Sequence, residues 1–168
     1  MRLLFVHGAG GYAEDQVLAF ALADQLGATA EMPRLPDDDM SVATWADPVG
    51  HALNGLGAED VVVAHSFGAT ILLHVLATSP AAPASATLLA MPDWGPDGWD
   101  VEDYVPPAPG SAIELTLHHC RDDQVVPFAH LALAAAQLPA AQAMTHDAGG
   151  HQFEGQAAAL ALAMRASR

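Results

Sequence analysis

Apolar and polar positions along this chain fall into blocks of two lengths. Short apolar runs, such as 2–6, 60–65 and 86–90, alternate with longer stretches rich in alanine and leucine. Runs of the first kind bounded by Gly, Pro or Asp read as buried strands, and stretches of the second kind as helices. The pattern predicts strands over 2–6, 29–32, 60–65, 86–90, 113–119 and 141–146, with helices over 14–26, 45–56, 67–78, 128–138 and 153–165. Gly27 closes the first helix, and Ser79-Pro80 stops the third, whose apolar stripe is Ile71, Leu72, Val75 and Leu76. Six strands alternating with helices imply an α/β fold: a doubly wound, mostly parallel six-stranded sheet with helices on both faces. Residues 92–110 are crowded with proline, glycine and aspartate and carry Trp94 and Trp99, which predicts a long loop leaning over one end of the sheet.

A length of 168 residues suits one domain spanning 1–168, and a 52% hydrophobic content suits a folded core. Five arginines against twenty acidic residues give a formal charge of -15, which argues against nucleic acid or an anionic membrane as partner. The run 2–6 is too short for a signal peptide, and no segment reaches the roughly 18 consecutive apolar residues of a spanning helix. A cytoplasmic protein is expected. Cys120 is the single cysteine, so no internal disulfide forms, and a buried thiol is favoured over a nucleophilic one. No metal site is expected.

The chemistry concentrates at strand ends. Ala64-His65-Ser66-Phe67-Gly68 follows the apolar Val61-Val62-Val63 and opens a helix, as a nucleophile elbow does. The tight turn demands small residues two positions either side of Ser66, and Ala64 and Gly68 supply them, alanine standing where glycine is usual. A serine requires a base, and the base a third group to orient it, in the chain order serine, acid, histidine. The loop 121–127 offers Asp122 and Asp123, of which Asp123 lies four residues before Pro127. The loop 148–153 offers His151 after two glycines, a better-placed base than His146 at the preceding strand end. The other eight of nine histidines read as surface or packing residues. An oxyanion would meet the Phe67 N–H and an N–H of the His7-Gly8-Ala9-Gly10 loop, from Ala9 or alternatively Gly10. The same glycines lack the third spaced glycine of a dinucleotide fingerprint, so no cofactor is expected.

These residues resemble the α/β-hydrolase superfamily, and the short chain resembles the small serine hydrolases similar to retinoblastoma-binding protein nine. The likeness rests on the Val6-His7-Gly8 start, Met32-Pro33, Trp45, the elbow, Asp123-x-x-x-Pro127 and Gly150-His151-x-Phe153. It implies a fold without a separate lid domain and places the catalytic serine, aspartate and histidine on Ser66, Asp123 and His151. The activity implied is cleavage of a small acyl ester through an acyl-enzyme, with a thioesterase or amidase open on the same residues. A protein partner, with the site used for binding rather than turnover, is the reading from another class. Gly10, Tyr12, Trp94 and Trp99 are candidate walls of an apolar substrate pocket. The two tryptophans equally fit a role as anchors of the long loop.

Overall fold

A computed structural model describes residues 1–78, 83–107 and 113–166. Its six strands are β1 (Arg2–Val6), β2 (Thr29–Glu31), β3 (Val61–His65), β4 (Ser85–Leu89), β5 (Glu114–Cys120) and β6 (Gln142–His146). They form one sheet in the order β2-β1-β3-β4-β5-β6, and every pairing is parallel. The helices are α1 (Tyr12–Leu26), α2 (Val42–Asn54), α3 (Phe67–Thr78), α4 (His130–Gln137) and α5 (Ala157–Ala166). This is the α/β-hydrolase architecture.

Strand alternation divides the core in two. Leu3, Phe5, Val61 and Val63 face α1 and α5, whereas Leu4, Val6, Val62 and Ala64 face α2, α3 and α4. Both layers are apolar through the middle of the sheet, with Trp45 and Phe5 fully buried on their respective sides. Parallel connection brings the carboxyl ends of all six strands to one edge, where the loops of the predicted site converge.

Most predicted boundaries lie within one to three residues of the observed ones, and two differences have clear causes. The last helix begins at Ala157 rather than at residue 153, because Phe153 and Gly155 take left-handed φ values of 53° and 74° and make a turn. The second helix begins at Val42 rather than at residue 45, since Ser41 caps it by accepting from the Thr44 N–H, and Pro48 is accommodated within it. Gly27 ends α1 at φ 66°, its N–H reaching Ala23 and Asp24 carbonyls. Ser79, Pro80 and the 108–110 end of the long loop lie outside the described residues.

Candidate active site

Ser66 sits between β3 and α3 at φ 54°, a left-handed value that a β-carbon makes unfavourable and that only surrounding structure can impose. Its N–H donates to the Leu89 carbonyl of β4 at 2.8 Å, which fixes the turn to the sheet. A β-carbon on Gly68 would stand 2.4 Å from the His7 carbonyl oxygen and 2.5 Å from that of Val6, so only glycine lets α3 start this close to β1. Ala64 is completely buried beside Val6 and Leu88, and its methyl group fits. The loop after β1 runs directly against the elbow: a β-carbon on Gly8 would lie 3.1 Å from that of Ser66.

Across the sheet edge, His151 Nδ1 meets Asp123 Oδ2 at 2.9 Å. The second carboxylate oxygen accepts N–H bonds from Val125 and Val126 at 2.8 and 2.9 Å, which locks the aspartate in its own loop. His119 Nε2 approaches Asp123 Oδ2 at 3.3 Å and the Val126 carbonyl at 2.9 Å, so one carboxylate serves two histidines. Burial pushes the Asp123 carboxyl up, but hydrogen bonds from His119 and His151 and the Val125 amide outweigh it and hold the group well below the usual carboxylate range. It is therefore ionised at neutral pH. The neighbouring Asp122 acts on the backbone instead, its carboxylate accepting from the Gly149 and Gly150 N–H groups at 3.2 and 2.8 Å and so clipping the glycine approach to His151. Cys120 is buried, and burial together with Asp122 and Asp123 pushes its thiol up to about 12, leaving it an inert core group.

In the loop after β1, the Gly8 N–H donates to Asp15, the Gly10 N–H to Asp37 at 2.9 Å and the Gly11 N–H to the Gly8 carbonyl. The Gly10 amide is thus engaged elsewhere, which removes it as an oxyanion donor and leaves Ala9 as the candidate. Phe67 is the first residue of α3, where N–H groups have no partner within the helix. His7 is buried, receives the Leu35 N–H on Nε2 at 3.0 Å and turns Nδ1 to the Gly8 carbonyl at 2.7 Å, so its protonated nitrogen is Nδ1.

Of the candidate pocket residues, Tyr12, Trp94 and Trp99 belong to one string of rings whose middle members His7, Trp45 and Phe67 are buried. Tyr12 meets His7, His7 meets Trp45, Trp45 meets Phe67, Phe67 meets Trp94 and Trp94 meets Trp99, all edge to face with centroids 4.9 to 6.0 Å apart. Trp94 is nearly buried and donates its indole N–H to Thr70 on α3 at 2.7 Å, so it anchors the long loop. Trp99 stays 39% exposed, and Gly10 is exposed. Beside His151 opens a cavity of about 490 Å³ with a polar rim that includes Asp122, Gln124, Gly149, Gly150 and Glu154.

Two histidines that the sequence marks only as surface or packing residues touch the site instead. His119 is the second donor on Asp123, and His65, next to Ser66, faces Asp15 through Nδ1 at 2.9 Å and the His151 carbonyl through Nε2 at 2.9 Å. Sequence reasoning passes over Asp15. The signal is present: Asp15 shares the buried stripe of α1 with Leu18, Ala19 and Leu22, where an unpaired carboxylate is costly. His146 bonds to His118 and Gln156 and lies apart from Asp123. Among the described residues no cluster of three or more His, Cys, Asp or Glu is arranged to hold a metal, and no helix is long and apolar enough to cross a membrane.

A serine held at φ 54° at one strand end, with a histidine and an aspartate paired on two further strand-end loops, sits on an α/β-hydrolase fold. The chain belongs to the serine hydrolase family, whose model matches residues 4–157. No curated protein matches it by sequence. The fold is similar to the ydeN gene product of B. subtilis, at 19% identity and TM-score 0.76, covering 99% of this chain and 97% of that one. A methylesterase from Arabidopsis superposes at TM-score 0.76 and 16% identity, covering 98% of this chain and 99% of that one. A putative hydrolase of the alpha/beta superfamily from Xanthomonas campestris does so at TM-score 0.69 and 20% identity, over 96% and 94% of the two chains.

Proposed function

We propose that the protein hydrolyses a small, apolar acyl ester through a Ser66–His151–Asp123 triad. The observation that carries this is the 2.9 Å contact between His151 Nδ1 and an ionised Asp123, on the loops flanking a serine held at φ 54°. With Nδ1–H committed to Asp123, Nε2 of His151 is the free base. It takes the Ser66 proton as Oγ attacks the acyl carbonyl, and the resulting oxyanion rests on the Ala9 and Phe67 N–H groups. Collapse of the tetrahedral intermediate breaks the bond to the alkoxide, which receives the proton from His151 and departs as the alcohol. Water then gives its proton to the same nitrogen and attacks the acyl-enzyme, releasing the acid and restoring Ser66. Tyr12 and Trp99, the partly exposed ends of the ring string, support an apolar acyl group, and the polar-rimmed cavity beside His151 supports entry of water and exit of the alcohol.

The test is a panel of p-nitrophenyl acetate and butyrate with thioester and anilide counterparts. Ser66→Ala is expected to lower kcat by about 10⁶-fold, as loss of a triad nucleophile does, with the thermal melt unchanged. Wild-type turnover in that variant would sink the assignment.

A further inference from the structure

One carboxylate joins three separate segments of the site. Asp15, in the first turn of α1, is fully buried. Its Oδ2 accepts the Gly8 N–H of the loop after β1 at 2.8 Å and faces His65 Nδ1, at the end of β3, at 2.9 Å. The other nitrogen of His65 faces the backbone carbonyl of His151 at 2.9 Å. The His65 ring thus bridges the Asp15 carboxylate and the His151 backbone. The rings of His65 and His151 lie 4.5 Å apart. Asp15 Oδ1 and Gln152 Oε1 are each buried without a partner, and the Gln152 side chain lies within hydrogen-bonding reach of the Asp15 carboxylate. Asp15 thus meets the residue after His151 as well.

We infer that Asp15 and His65 are positioning residues, a buried dyad that sets the His151 loop against the elbow and the Gly8 loop. This rests on the catalytic reading of Ser66 and His151. The dyad touches no substrate. It fixes the backbone that carries the base and the backbone next to the nucleophile. A buried pair of this kind carries a desolvation cost that apolar residues of similar volume avoid, so stability alone gives no reason for it. Orientation does: Gly8, Ser66 and His151 come from segments far apart in sequence, and a displacement of about 1 Å between reacting groups costs on the order of 10²-fold in rate.

The experiment compares wild type with Asp15→Asn, reading kcat and KM on p-nitrophenyl butyrate together with the backbone amide signal of His151. The expected result is a kcat lower by on the order of 10²-fold with KM nearly unchanged. The His151 backbone amide signal is expected to shift in the variant, because the dyad holds that backbone. Wild-type kcat in Asp15→Asn, or a loss carried by KM alone, would overturn the dyad. If Asp15→Asn does not fold, His65→Gln is read by the same kinetics with the same expectation. An unshifted His151 amide in a folded Asp15→Asn also overturns the dyad. A wild type that neither turns over ester nor is labelled at Ser66 by a fluorophosphonate overturns the catalytic reading instead, and the His151 amide signal still decides the dyad.

Discussion

The adjacent residues His118 and His119 of β5 open two histidine clusters with opposite electrostatics. On the α4 side, His119 and His151 both point a nitrogen at Asp123. On the α5 side, His118 Nδ1 meets His146 Nε2 at 3.0 Å, His146 Nδ1 faces Gln156, and His118 Nε2 is buried without a partner. No carboxylate enters that second bonding chain. Burial, and then the charge His146 would carry, push His118 down to about 4, and burial lowers His146 as well. The second pair stays neutral and packs, as the ring contact of His146 with Phe153 shows. A histidine near the mouth of the sheet becomes chemistry only where an ionised acid backs it.

Removing the acid erases the distinction. Asp123→Asn leaves the shape of the first cluster but offers His151 an amide, so the ring loses the partner that fixes its tautomer. Ester turnover is expected to fall by about 10⁴-fold, near 5 kcal/mol of transition-state stabilisation. A loss under tenfold on the same ester panel would mean that His151 acts without Asp123.

Acid acts on the second cluster first. The pKa of His118 is about 4 when folded against an ordinary 6.5, so the unfolded chain takes up its proton first as pH falls. Stability should fall between about pH 6.5 and 4, by roughly 2–3 kcal/mol from this group at pH 4.5. His146 titrates in the same direction. The folded pKa of Asp123 is depressed instead, so its contribution is present above the usual carboxylate range and is lost only below about pH 4. Melting curves of wild type and His118→Gln between pH 7 and 4.5 separate the two: the variant's melting temperature should decline less steeply. Parallel declines would assign the acid sensitivity elsewhere.

Much of this molecule is legible in the sequence because strands buried on both faces are written as short apolar runs and strand-end loops as glycine and aspartate. The elbow, the Asp123 loop and the His151 loop are local motifs, so their order and spacing can be read directly. The start of α5 is not legible in the same way, because Phe153 continues an apolar pattern while its backbone turns left-handed, a property no hydrophobic count carries. Asp15 and His65 stay hidden for a different reason. Their contact spans fifty residues, and neither belongs to a motif that predicts the other. Only a charged side chain on the apolar stripe of α1 betrays it. The opposite roles of His118 and His119 follow from strand alternation, but which face receives the carboxylate depends on the fold.

Whether Ser66 is an activated nucleophile is read from the rate and site of labelling of the wild-type protein by a fluorophosphonate, followed by peptide mass mapping. Rapid, stoichiometric modification confined to Ser66 is the predicted result. Labelling no faster than that of an ordinary surface serine, or modification at another residue, would contradict it.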